Sequence, residues 1–387
     1  MSTFHYGHDV SDPATSLLAE IDRHGSISFA RFQELALYGD GGFYELGGAG
    51  RGEDFVTSPE VGPLFGAVVG RALDQWWREL GSPEPFVVVD AGAGSGALAR
   101  AVLAAGPDCS HAMRYVLVDR VEAQRARHGE HLDLEPAAEV FPVAAEDELG
   151  QPMPSGPAGP VVVSLASLPR LPFVGVILAN ELLDNMPTRI AERVGGEWHE
   201  VRVARAGDTQ DTTFVELVIP AHDRHAGLLD RLVPVAVDGM RVPLQEAAAD
   251  WLREASSVLE SGVVVSIDYS RSSPELADLP MAEWLRTYRG HDHGGPPLDS
   301  PGTRDITCDV AIDQLALVRP IDRQCTQAEW LVSHGIGELV AAGRRIWRDR
   351  AGVGDLDAVR ARSRVGEAEA LLDESGLGAF TVCEWRT

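Results

Sequence analysis

The chain has 387 residues, with 33 basic side chains against 59 acidic ones and a formal net charge of −26. Every basic residue is an arginine, which excludes a Schiff-base or pyridoxal lysine and the lysine of a phosphate-binding P-loop, and the acidic balance argues against a nucleic-acid partner, whose phosphates call for basic side chains. At 44% hydrophobic and 24% charged, the composition is that of a globular protein with room for one large or two medium domains.

The first residues lack a basic region followed by an apolar run, and no stretch approaches the roughly 18 apolar residues of a membrane span. A soluble, cytoplasmic protein without membrane insertion is expected. Cys109, Cys308, Cys325 and Cys383 stand at no metal-ligand or redox-motif spacing, so reduced thiols and no metal site are expected. From Ala14 to Leu37 the pattern is amphipathic, with Leu17, Leu18 and Ile21 on one helical face, followed by Ile27, Phe29, Phe32 and Leu35. The glycine-dense run from Tyr38 to Phe55 reads as a loop. Thr57-Ser58-Pro59-Glu60 then carries helix-start chemistry ahead of an apolar helix from Val61 to about Leu80. Residues 1–60 thus read as an N-terminal helical segment with a Gly-rich cover, and 61–387 as the core.

Within that core, Phe86 to Asp90 and Tyr115 to Asp119 are apolar on both faces, and each leads into a helical segment, the pattern of a parallel sheet covered by helices. Val140 to Ala144, Val174 to Ala179 and Gly262 to Asp268 are the next expected strands, and Phe380 to Trp385 suits a closing one. Glu197 to Val203 and Thr213 to Ile219 alternate like antiparallel strands, which marks 190–243 as a β-rich insertion. Residues 288–305 read as a loop region. Ala247 to Leu259, Glu338 to Arg350 and Val359 to Leu372 read as helices.

The strongest chemical signal is Asp90-Ala91-Gly92-Ala93-Gly94-Ser95-Gly96, a strand running into a glycine turn and then a helix, where a doubly wound sheet binds nucleotides. Gly92, Gly94 and Ala97 also fit a dinucleotide pattern, and Ser95 resembles a nucleophile elbow, so the turn alone leaves nicotinamide, flavin and hydrolase readings open. Asp90, two residues before the first glycine, is placed to reach the methionine moiety of S-adenosylmethionine, and Asp119, ending the next strand, to accept from ribose hydroxyls. Asn180-Glu181-Leu182-Leu183-Asp184 follows the fourth strand at the same edge. Its two acids, three residues apart, are expected on one side of a helical turn; the alternative is a capped helix with Asn180 as the cap.

Tyr38-Gly-Asp-Gly-Gly-Phe-Tyr44, Asp54-Phe-Val-Thr57-Ser58-Pro-Glu60, Phe65-Gly66, the glycine turn, Asn180-Glu181-Leu-Leu-Asp184 and Asp268-Tyr269 occur in the order of the MidA family of S-adenosylmethionine-dependent methyltransferases, which this chain resembles over nearly its whole length. Tyr288 to His291 and Asp305-Ile306-Thr307 resemble a branch of that family from high-GC Gram-positive bacteria. The family usually has Glu at the position of Asp90, Ala at that of Asn185 and Gly at that of Ser270. The resemblance implies a doubly wound, Rossmann-like methyltransferase sheet, S-adenosyl-L-methionine as cofactor, and arginine methylation of a protein such as a respiratory complex I subunit. A non-catalytic cofactor-binding assembly factor and a small-molecule methyltransferase are the alternatives, and a homodimer stays open. The expected site comprises Asp90, Gly92, Gly94, Gly96, Asp119 and Asn180 toward the cofactor, Glu181 and Asp184 as catalytic acids, and Asp54, Thr57, Ser58, Glu60 and His291 toward the substrate.

Overall fold

The computed structural model describes residues 13–46, 57–140, 159–207, 213–289, 292–350 and 356–387. The chain divides into two compact units, one formed by Met1–Phe55, Asn185–Ala248 and Arg271–Gln314, the other by Val56–Asp184, Ala249–Ser270 and Leu315–Thr387. The N-terminal helices, the insertion and the 288–305 region therefore fall in the first unit, and the glycine turn in the second.

The second unit is built on a seven-stranded sheet. Its strands are β1 (Phe86–Ala91), β2 (Met113–Val118), β3 (Val161–Leu165), β4 (Phe173–Asn180), β5 (Leu259–Asp268), β6 (Arg323–Thr326) and β7 (Thr381–Arg386), in the spatial order β6-β7-β5-β4-β1-β2-β3. All six residues of β1 and of β2 are buried, because helices cover both faces of a parallel sheet and leave no polar side for alternation. β1 to β5 run parallel, and β7 is antiparallel to both β5 and β6. From β1 the chain builds outward through β2 and β3, then returns to place β4 on the other side of β1, a reversal that opens a crevice at the carboxyl ends of β1 and β4.

Two edge strands escape the sequence pattern. The strand expected over Val140 to Ala144 is absent at Val140, which is buried and follows a 3₁₀ turn at Ala137–Glu139; residues 141–144 lie outside the described residues. β2 is instead flanked by β3, a short apolar run that follows Gly159-Pro160. β6 is Arg-Gln-Cys-Thr and carries no apolar alternation, since only β7 pairs with it.

Helices α1 (Pro63–Glu79) and α2 (Ala97–Ala105) pack closely where Gly66 meets Ala101; a Cβ on Gly66 would stand 2.3 Å from the Ala101 Cβ. Trp76, Phe65, Tyr115, Trp330 and Phe380 fill the core around them.

In the first unit, the amphipathic run after Ala14 forms two helices, Pro13–His24 and Phe29–Tyr38, interrupted by Gly25 at φ +76° and by the short strand Ile27–Ser28. The insertion supplies antiparallel strands Arg189–Val194, Glu197–Arg205, Phe214–Pro220 and Arg241–Leu244, with Ile27–Ser28 completing the sheet. Leu17, Phe32, Ile190, Val201, Trp284 and Ile306 make its core, and the Phe32 and Phe214 rings meet edge to face at 5.6 Å.

Candidate active site

Four parallel neighbours, β5-β4-β1-β2, end at one edge of the second unit and bring Asp268, Asn180, the glycine turn and Asp119 to it. Ala91 pairs with Ala179, so Gly92 and Asn180 leave the sheet side by side.

Gly92, Gly94 and Gly96 adopt φ of +73°, +52° and +76°, which side chains with a Cβ rarely accept. The backbone N–H groups of Gly92 and Ala93 donate to the Val118 carbonyl at 2.8 and 3.0 Å. Asp119 accepts from Gly94 N at 3.0 Å through Oδ2 and from Val121 N at 2.9 Å through Oδ1, so it organises the turn as well as facing the edge. Asp90 is 3% exposed and accepts from the Tyr115 hydroxyl at 3.2 Å. Burial, together with the Asp119 charge, pushes the Asp90 pKa up to about 7 against the Tyr115 hydrogen bond.

The segment after β4 is not the helical turn expected of it. Glu181 has φ +51°, its N–H donates to the Ile267 carbonyl at 2.9 Å, and it lies ahead of the 3₁₀ turn Leu183–Asn185. Asn180 does not cap that turn. Its Nδ2 donates to Glu181 Oε1 at 3.0 Å, and Ser58 N donates to the same oxygen at 3.3 Å. The cap is Asp268, which accepts from the N–H groups of Leu183 at 2.9 Å, Asp184 at 3.4 Å and Tyr269 at 3.1 Å. Burial pushes Glu181 up to about 7, Asn180 and Ser58 oppose it, and the Glu60 charge adds to it. Burial and then the Glu181 charge hold Asp268 well above the ordinary carboxylate range. Glu181 is partly exposed, whereas Asp184 is buried at 5%.

Of the residues read as substrate-facing, Ser58 is fully buried and donates from Oγ to Gln327 Oε1 at 3.0 Å. Glu60 is exposed and accepts from Thr57 N at 3.3 Å. Thr57 is the N-cap of the Ser58–Val61 turn. Asp54 and His291 lie outside the described residues. Tyr38, Tyr44, Asn185 and Asp305 lie in the first unit, where the Tyr38 and Tyr44 rings stack at 5.2 Å. There the Tyr44 hydroxyl donates to both oxygens of Asp305 at 3.2 Å, and Asn185 Nδ2 donates to Asp305 Oδ1 at 3.0 Å. Sequence reasoning missed His128 and the capping role of Asp268. Among the described residues no three His, Cys, Asp or Glu side chains stand together to hold a metal, and no helix is long and apolar enough to cross a membrane.

This edge is what a nucleotide-derived ligand needs, and comparison with known families says which. A model of S-adenosyl-L-methionine-dependent methyltransferases matches residues 68–329. The chain belongs to that family. It is 30% identical over 314 residues to the mitochondrial protein arginine methyltransferase NDUFAF7 homolog of Drosophila melanogaster, covering 77% of this chain and 67% of the relative. It is 24% identical over 348 residues to mitochondrial NDUFAF7 of Danio rerio, covering 83% and 76%. A Burkholderia thailandensis protein crystallised with S-adenosylhomocysteine superposes with a TM-score of 0.76 at 27% identity, over 100% of this chain and 95% of that one. The protein is therefore an S-adenosylmethionine-dependent methyltransferase on a Rossmann-like sheet.

The methyltransferase edge fits its cofactor by its own chemistry. A Cβ placed on Gly94 would meet no atom of the described residues within 4 Å, so the turn is clear of them there. Asn180 Oδ1 is buried without a hydrogen-bond partner among the described residues, a polar atom that a ligand donor would satisfy. Asp119 keeps lone pairs beyond the two backbone bonds it accepts.

Proposed function

We propose that this methyltransferase modifies the guanidinium of an arginine in a protein, with the acceptor held by Glu181 and Asp184. The observation that carries the reading is the Glu181 carboxyl, fixed through one oxygen by Asn180 and Ser58 and pushed up to about 7 at the strand end beside the glycine turn. Asp90, buried two residues ahead of the turn, Gly92, Gly94, Gly96, Asp119 and Asn180 would hold the cofactor. When bound, S-adenosylmethionine supplies an electrophilic methyl group. An ionised Glu181 accepts two N–H donors of a guanidinium, orients one nitrogen and takes the proton that this nitrogen sheds as it gains the methyl group. A carboxyl that titrates near neutrality is matched to that exchange. The names of the relatives support an arginine acceptor, and the net charge of −26 supports a cationic peptide one. A respiratory complex I subunit as acceptor follows from the family resemblance alone. A cytoplasmic setting is part of the same reading, supported by four free thiols.

The test is incubation of the purified chain with methyl-labelled S-adenosylmethionine and a lysate of its own cells, followed by acid hydrolysis of the protein fraction. Label in N-methylarginine is expected. Label confined to small molecules, or to another amino acid, overturns the arginine reading; no transfer with intact cofactor binding makes the chain a non-catalytic binder.

A further inference from the structure

We propose that His128 is a positioning residue of the cofactor site, holding Gly94 from the carbonyl side while Asp119 holds it from the amide side. The inference rests on the placement of the cofactor at the glycine turn made above. His128 closes the helix Glu122–His128 and is fully buried, yet both of its ring nitrogens are used. Nε2 stands 2.8 Å from the Gly94 carbonyl oxygen and Nδ1 2.8 Å from Ser164 Oγ on β3. A carbonyl only accepts, so Nε2 carries the proton, and Nδ1 accepts from the Ser164 hydroxyl. Burial pushes the imidazole pKa below its ordinary value, against the opposing effects of the Gly94 bond and the Asp119 charge, which keeps a neutral ring in one tautomer.

The two peptides that flank Gly94 are thus each tied to a side chain, N–H to Asp119 Oδ2 at 3.0 Å and C=O to His128. Gly94 needs such ties. It has the widest conformational freedom of any residue, it is held at φ +52°, and the side where a Cβ would stand is open. A turn fixed before the ligand arrives spares the ligand the cost of ordering it. Ser164 in turn fixes the ring, so the chain of contacts Ser164, His128, Gly94, Asp119 ties β3 and the end of β2 to the turn after β1.

A histidine that only filled the core would change melting temperature and not affinity per folded molecule. The deciding experiment is calorimetric titration of the whole chain with S-adenosylhomocysteine, with melting temperature and steady-state kinetics on the same preparations. His128→Leu should weaken binding by about tenfold and raise KM for S-adenosylmethionine with kcat nearly unchanged. His128→Gln, whose amide N–H reaches toward the same carbonyl, should recover most of the loss, and Ser164→Ala should show a smaller weakening. Hydrogen exchange over the glycine turn should be faster in His128→Leu. Wild-type affinity in His128→Leu overturns the proposal; if that variant does not fold, wild-type affinity in Ser164→Ala does so. Gly94→Val and Asp119→Asn distinguish the two levels. If both bind normally, the placement of the cofactor is wrong. If both bind weakly while His128→Leu binds normally, only the role of His128 is wrong.

Discussion

Asp305 and Glu181 are both motif carboxyls, and they have opposite characters. Asp305, 4% exposed, accepts from the Tyr44 hydroxyl, from Asn185 Nδ2 and from the Ile306 N–H at 2.9 Å, under two stacked tyrosines. Its donors come from the protein itself, and a polar cluster saturated in that way holds shape. Around Glu181 the bookkeeping does not close. Its carboxyl has one oxygen held, its charge works against that of Asp268, and Asn180 Oδ1 beside it has no partner among the described residues. Residues that share one motif order thus divide into a group that builds a scaffold and a group left in need of a ligand, and in the second the acidity of Glu181 and Asp268 is perturbed in the way that marks chemistry.

The largest test of this contrast is at the turn. Gly94→Val places a β-branched side chain at φ +52° and should abolish measurable S-adenosylhomocysteine binding in a calorimetric titration of the folded protein, with the melting temperature lowered in keeping with the roughly 1–2 kcal/mol or more that a left-handed residue with a Cβ costs. Next is the double change Glu181→Gln, Asp184→Asn, which keeps shape and removes charge. A charge-assisted hydrogen bond is worth roughly 1.5–3 kcal/mol, so turnover should fall about 10- to 100-fold with cofactor affinity retained; unimpaired turnover would retire this acceptor site.

A third test reads the acidity directly. Below about 7 Glu181 is protonated and offers a guanidinium neither a negative charge nor a base for its proton, so turnover should rise with pH through that value. Glu60→Gln removes a negative charge that pushes Glu181 up and should move the midpoint to lower pH; a midpoint that does not move separates the profile from Glu181. The smallest effect belongs to the saturated cluster. Tyr44→Phe deletes one donor to Asp305 and should cost about 1 kcal/mol of stability in a thermal melt, with turnover per folded molecule little changed. Comparable losses from Tyr44→Phe and Glu181→Gln in turnover would erase the distinction drawn here.

What could be read in advance follows from which residues announce their geometry. The β1 turn was legible because three glycines declare three positive φ angles, and β1, β2, β4 and β5 because runs apolar on both faces have few alternatives. Glu181 takes the same left-handed conformation as Gly94, but glutamate gives no sign of it, so Asn180 to Asp184 read as a helical turn. The cap on that turn comes from Asp268, far along the chain, and the tie on Gly94 comes from a histidine at a helix end; neither partner is marked by local spacing. β6 was missed because an edge strand needs little hydrophobic pattern, and β3, although apolar, because it is only five residues long and follows Gly159-Pro160. The glycine turn and the two acids after β4 could be proposed from residue type and strand position, whereas the division between saturated and unsaturated carboxyls depends on distances.

The order of the sheet also bears on how the chain is made. β7 lies between β5 and β6 although it follows both in sequence. A ribosome delivers β5 and β6 before the strand that joins them exists, and until β7 arrives the apolar β5 has one row of backbone donors and acceptors without a partner. An open edge of that kind pairs readily with other chains. Synthesis of this methyltransferase therefore passes through a stage in which β1 to β6 have emerged and the sheet is still unsealed, and β7 acts as its closure.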